Sequence, residues 1–264
     1  MNAATASPAA DASSAASSPA ALPAARRVET LALGPGLTHT LLLIPHTAGE
    51  SPEVLAAARH WVAEAPPIRS RSPIDLPVLL RLYNVELCWS PERSAAIATE
   101  ERFESVRSAV SDFTRLEAEL ASIEEGIEAA WPAYEADLPL AYGFTETTAE
   151  LREGLQARYS KVMSLHGRLA RLTRSITQPA PQPPTLAGQI GERLRERLRV
   201  HERDEAADGE LDVLAGHYDA CGQRSSDFMI ARREQMLSWT IIVLLSIEVL
   251  LFTVELLASA SAGT

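Results

Sequence analysis

One stretch of this chain, Met236–Leu257 (MLSWTIIVLLSIEVLLFTVELL), limits every architecture the rest can adopt. A helix needs about 20 mostly apolar residues to cross the hydrocarbon core of a bilayer. Trp239–Leu257 supplies nineteen, thirteen of them Leu, Ile, Val or Phe. Those side chains favour insertion by about 6 kcal/mol together. Glu248, near the middle, opposes it by about 3 kcal/mol, and Glu255, near the end, by less. The balance predicts a single transmembrane helix over residues 236–258, with a short tail at 259–264. The competing architecture is a core helix that is apolar all round. No other part of the chain is apolar enough to enclose one.

Arg232 and Arg233 stand just before the span, and Ala258–Thr264 carries no charged side chain. The positive-inside rule then places the N-terminal body in the cytoplasm, or in the matrix of a mitochondrion. Glu248 and Glu255 are seven residues apart and project from one face of the helix. Ile241, Leu244, Leu245, Leu251 and Phe252 share or flank that face. A carboxyl group at membrane depth is protonated, paired or turned to a cavity. The face is therefore expected to meet a second helix, most simply that of another copy. The plainer alternative is a protonated Glu248 facing lipid.

The net charge is −11, which argues against nucleic-acid binding. Two cysteines, Cys88 and Cys221, are too few and too far apart in sequence for a disulfide framework or a zinc site. About 235 residues precede the anchor, enough for one or two modest domains.

Residues 1–27 are dominated by Ala, Ser and Pro, with little to bury, and read as a disordered tail. Val28–Leu33 and Leu37–Ile44 are apolar runs around Gly34-Pro35-Gly36, a turn signal, and predict a strand pair. Ser51-Pro52-Glu53 reads as a helix start, with Ser as N-cap and Pro in the first turn. Leu76–Trp89 offers one or two further strands. Residues 28–89 thus form a small α+β unit. Residues 90–235 read as helical, with breaks near 132–144, 178–185 and 201–209. Ser90-Pro91-Glu92 opens a long helix with the stripe Phe103, Val106, Val110, Phe113, Leu116, Leu120, Ile123 and Ile127. Thr145–Thr177 carries a second stripe: Leu151, Leu155, Tyr159, Val162, Leu165, Leu169, Leu172 and Ile176. The pair predicts a long antiparallel helical hairpin. Leu186–Val200 is a shorter third helix. His201–Gly209 reads as a charged turn. Leu211, Leu214, Tyr218 and Cys221 begin a helix that runs unbroken into the membrane, weakened at Gly216 and Gly222. The fold class is α+β, mostly α.

No motif points to a reaction. The six histidines are scattered, without HExxH or another zinc spacing. Asp204, Glu205, Asp208, Glu210 and Asp212 lack the EF-hand register and read as a solvated acidic turn. There is no phosphate-cradling GxxxxGK[ST], no GxGxxG and no nucleophile elbow. No catalytic, cofactor-binding or metal-binding residue is assigned.

The C-terminal residues carry a family likeness. Leu237-Ser238-Trp239-Thr240-Ile241-Ile242, followed by Ile247-Glu248-Val249, resembles the ending of the RMND1/Rmd1/Sif2 family (DUF155). Members of that family end in a helix leading into an L-E-W-I-I-x…I-E-V membrane segment. Ser238 stands at the position of the family's Glu. The pattern LxxxYxKVMxLHxRLxxL at Leu155–Leu172 is similar in style. The resemblance implies a membrane-anchored protein with its body in the cytosol or matrix and no established catalytic residues. Only Trp239, Ile241, Ile242 and Glu248 carry over, as parts of the anchor.

These features predict a single-pass, non-enzymatic scaffold or tether that self-associates. Its partners would be the lipid bilayer, copies of itself and a protein that the sequence does not identify. An enzyme sited in residues 28–89 is the alternative. A SNARE-like fusogen is a third reading, opposed by the glycines at 209, 216 and 222.

Overall fold

The computed structural model describes residues 22–46, 52–64, 76–143, 151–177 and 185–262, the side chains as far as Val254. The expected tail at 1–27 falls almost wholly outside the described residues, as do Ser51 and the break at 178–184. The chain divides into two compact units, Met1–Ala121 with Gln178–His201, and Ser122–Thr177 with Glu202–Thr264.

The first unit is built on a five-stranded mixed sheet. Its strands are β1 (Arg27–Gly34), β2 (Leu37–Pro45), β3 (Val78–Leu82), β4 (Val85–Trp89) and β5 (Arg93–Ala98), in spatial order β1-β2-β5-β4-β3. β1 and β2 form the hairpin that Gly34-Pro35-Gly36 announces. Gly36 turns at φ +72°, a value only glycine adopts without strain, and Pro35 presets the corner before it. The register slips by one residue between Ala32 and Gly34, a bulge that absorbs the turn's twist. β2 pairs with β5 in parallel, Leu42 opposite Ala95 and Leu43 opposite Ala96. A strand in that central position is covered on both faces. This explains why Leu41, Leu42, Leu43 and Ile44 form a continuous apolar run and are all fully buried. Each such side chain contributes about 1.5–3 kcal/mol.

Helix α1 (Pro52–Ala63) covers one face, where Ala58 and Val62 pack with Leu42, Ile44, Cys88 and Ala95. Helix α2 (Phe103–Glu128) covers the other. There the Trp89 ring meets Phe113 edge-on at 5.0 Å, and its indole N–H donates to Thr114 Oγ1 at 3.1 Å. Arg107 of α2 clamps Glu29 of β1 with two hydrogen bonds, at 2.7 and 2.9 Å. Helix α5 (Leu186–Arg197) lies against β3 and buries Ile190 and Leu194, two residues of the expected stripe.

The helix start expected at Ser90 is corrected: Ser90-Pro91-Glu92 is a turn between strands. The Ser90 amide donates to Arg93 O at 2.9 Å, and the Ser90 hydroxyl also donates to that oxygen, at 3.0 Å. Arg93–Ala98 then enters the sheet as β5. Ala95, Ala96 and Ala98 are small enough to sit between α1 and α2, and that packing overrides alanine's helix preference. The domain boundary expected at 89/90 accordingly falls inside a hairpin, and α2 begins at Phe103 after one 3-10 turn. Its stripe is buried as expected, except that Leu116 is half-buried.

The second unit holds the end of α2, the short helix α3 (Trp131–Asp137), α4 (Arg152–Thr177) and most of α6 (Val200–Ala262). Contacts fix their directions. Ser122 meets Arg168, and Gly126 comes so close to Leu165 that an added Cβ would lie 2.8 Å from its methyl group. The end of α2 is therefore antiparallel to α4. His166 faces Asp208, and Thr173 faces Asp204, so α4 is antiparallel to α6. Leu155, Val162, Leu165, Leu169 and Leu172 pack inward from α4, and Ala207, Leu211, Leu214, Tyr218 and Cys221 from α6.

The turn expected at His201–Gly209 is also corrected: it is helix throughout. The break lies two residues earlier, at Arg199, which stands at φ +47° between α5 and α6. The acidic cluster is not one solvated turn but is distributed around this helix. Asp204 is buried and accepts from Thr173 Oγ1 at 2.8 Å, and Glu210 accepts from the Trp131 indole at 2.9 Å. Arg203 holds Glu124 with two bonds of 2.8 Å. These bonds reach from α6 to other helices of the unit and hold the charged stretch in helical form.

Candidate functional site

Helix α6 is continuous over 63 residues, about 95 Å. Ser225 is its last buried residue, and from Ala231 to Val254 every side chain is exposed. Its most apolar window has a mean hydropathy of 2.2 and none of it is buried by the protein. Among the described residues this is the one helix long and apolar enough to cross a membrane. The alternative of a buried core helix fails on that exposure.

The hydroxyl side chains of this stretch bond to their own helix. In hydrocarbon an unsatisfied hydroxyl costs several kcal/mol. Ser238, Thr240 and Ser246 each donate to the carbonyl four residues back, Glu234, Met236 and Ile242, at 2.9, 2.9 and 2.7 Å. Thr253 donates to Leu250 O at 2.8 Å. Each hydroxyl is thus satisfied within its own helix. Of the anchor residues singled out in the sequence, Trp239, Ile241, Ile242 and Phe252 are all more than half exposed. Glu248 is exposed as well, and Arg232 and Arg233 are exposed just before the span. Glu255 lies beyond the described side chains.

A second arrangement, in the helical unit, is one that sequence reasoning missed. Asp137, at the end of α3, is buried and forms an ion pair with Arg158 of α4. Around it stand three side chains of α6. Burial, then the Asp137 charge, pushes the Tyr218 phenol up to about 12. Burial, then the same charge, raises the Cys221 thiol. Burial lowers His217, against an opposing pull from Asp137. His217 Nε2 lies 3.5 Å from Cys221 Sγ, and its ring meets Tyr134 edge-on at 4.7 Å. A Cys–His pair beside a carboxylate invites comparison with a nucleophile and its base. The protonation states oppose it: a reactive cysteine needs a depressed pKa, and this thiol is held in its neutral form. The cluster pins α3 against α4 and α6. Its one sequence signal is the i, i+4 spacing of His217 and Cys221.

In the sheet unit the titratable groups do not converge. His39 is buried on the α2 side, where its ring nitrogens meet Pro91 O at 3.0 Å and Ser94 Oγ at 2.8 Å. Cys88 packs on the α1 side, and burial pushes its thiol up to about 11. Glu29, drawn down by its hydrogen bonds to Arg107, lies on the edge strand. No group of three His, Cys, Asp or Glu side chains among the described residues is placed to hold a metal ion. No protein-family model matches the chain, and no curated protein matches it.

Proposed function

We propose that this chain is a membrane-anchored, non-enzymatic scaffold or tether that self-associates, of the RMND1/Rmd1-like type. Residues 236–258 cross the bilayer once, and the body stands on the cytoplasmic side, or on the matrix side in a mitochondrion. One observation carries the reading: a helix rooted in a folded bundle buries its last side chain at Ser225 and continues without interruption into an apolar stretch that no part of the protein covers. Arg232 and Arg233 before the rod, with no charged side chain in Ala258–Thr264, support the sidedness. Glu248, at membrane depth, supports a helix partner. The alternative of an enzyme in residues 28–89 draws nothing from His39 and Cys88, which face opposite sides of one sheet.

The test is alkaline carbonate extraction of membranes from cells making the full chain, followed by protease treatment of sealed vesicles. The protein is expected to stay in the pellet, with its body digested only when the cytoplasmic face is outward. Recovery in the carbonate supernatant removes the anchor and the tether with it.

A further inference from the structure

Resting on that self-association reading, we propose that the partner surface is a parallel two-stranded coil that starts before the membrane and runs into it, with a second copy as the occupant. Within the bundle, α6 turns one stripe inward: Asp204, Ala207, Leu211, Leu214, Tyr218, Cys221 and Ser225, at alternating spacings of three and four. Its last fully buried member is Ser225, with Phe228 and Met229 half-buried beyond it. A new one opens at Ile230 and continues through Leu237, Leu244 and Leu251, each seven residues from the last and 56–64% exposed. Counted at about 100° per residue, the new stripe lies roughly 150° around the helix from the old. It is therefore not a continuation of the bundle's own core.

Lipid covers Leu244 and Leu251 at no cost, but Ile230 lies about 9 Å before the span begins. Ile230 is 56% exposed there, an apolar position in register with the stripe that follows and open to a second copy. Glu234, Ile241 and Glu248 fall three or four residues from each of these positions. Together they make a heptad seam with Ile230, Leu237, Leu244 and Leu251 at d and Glu234, Ile241 and Glu248 at a. Leucine at d suits two parallel strands, and a polar residue at a fixes register at some expense of stability.

The charges select the same occupant. In a parallel pair the hole that receives an a residue is lined by the partner's preceding g residue. Arg233 is that residue for Glu234, so each copy offers a guanidinium to the other's carboxylate. Two anchors entering one bilayer from the same side are parallel, which satisfies the geometry without further adjustment. Glu248 of the two copies then meet inside the membrane, sheltered from lipid.

The test is disulfide scanning of the full-length protein in native membranes with copper phenanthroline. The wild type serves as control, because Cys88 and Cys221 are both buried. Ile230→Cys and Leu237→Cys are expected to give dimers. Gln235→Cys and Met236→Cys, on the outer side, are not. In the Leu237→Cys background, Arg233→Glu or Glu234→Arg alone is expected to lower the dimer yield about fivefold, and the two together to restore it. Equal crosslinking at all four positions, strongest crosslinking at 235 and 236, failure of the charge swap to rescue, or an adduct with a different protein overturns the seam. If the seam fails while the protein still migrates as an oligomer in mild detergent, self-association stands by another surface. A monomer in detergent with no crosslink at any position overturns both.

Discussion

Tyr83 and Asn84 both stand at positive φ, 45° and 58°, between the paired residues Leu82 and Val85. Two left-handed residues in a two-residue hairpin make a type I′ turn, which favours Asn and Gly. Tyr83 is 64% exposed, so its ring recovers little by burial. Tyr83→Asn is expected to raise stability by about 0.5–1 kcal/mol, read as a higher unfolding temperature in detergent. His39 acts in the opposite sense under acid. Burial holds its pKa below the usual 6.5, so the unfolded chain takes up a proton before the native one does. Its contribution is intact above pH 6.5 and is lost as pH falls from there toward the lowered native value. Denaturation midpoints measured from pH 7 to 5 should fall, and His39→Gln should flatten the decline. Neither feature was legible in the sequence. His39 is one of six scattered histidines, and its partners Pro91 and Ser94, more than fifty residues away, reach it only through the parallel pairing of β2 with β5.

Among the elements, the long stripes were the easiest to read. The apolar positions of α2, α4 and α5 recur at threes and fours, and most of them are buried. Two elements misled for identifiable reasons. Ser-Pro-Glu is good chemistry for a helix start and for a strand turn alike, and local sequence does not reveal which tertiary slot awaits Ala95 and Ala96. The charged run at His201–Gly209 looked like a turn because the groups that bind it, the Glu124 carboxylate and the Thr173 hydroxyl, lie on other helices. The glycines of α6 pull against its continuity. A Cβ added at Gly209 or Gly222 would meet nothing within 4 Å. Gly209→Ala and Gly222→Ala are each expected to stabilise the helix by about 1 kcal/mol, seen as slower amide exchange around the substituted turn. The Asp137 cluster was illegible at this scale, since it gathers residues from three helices around one short segment.

At the scale of the whole molecule, the insertion margin is the quantity on which the proposed anchor depends. Insertion is favoured by about 3 kcal/mol once Glu248 is counted. Leu244→Arg alters that balance by about as much, so it should release a large share of the full chain into the carbonate supernatant. Glu248→Leu should tighten retention. The candidate span was legible because thirteen Leu, Ile, Val or Phe side chains fall within nineteen residues. The body was legible only in outline, because a sheet whose neighbours are β2 and β5 depends on pairing across some fifty residues. The unbroken course of α6 has a mechanical result. With no hinge between Val200 and Ala262, the proposed anchor makes the helix a lever with its fulcrum in the bilayer. Spans in membranes tilt by about 20° on average. Such a tilt swings the end at Val200, about 58 Å from Trp239, sideways by about 20 Å, so a few ångströms of bilayer thinning become a displacement several times larger at the far end of the helix.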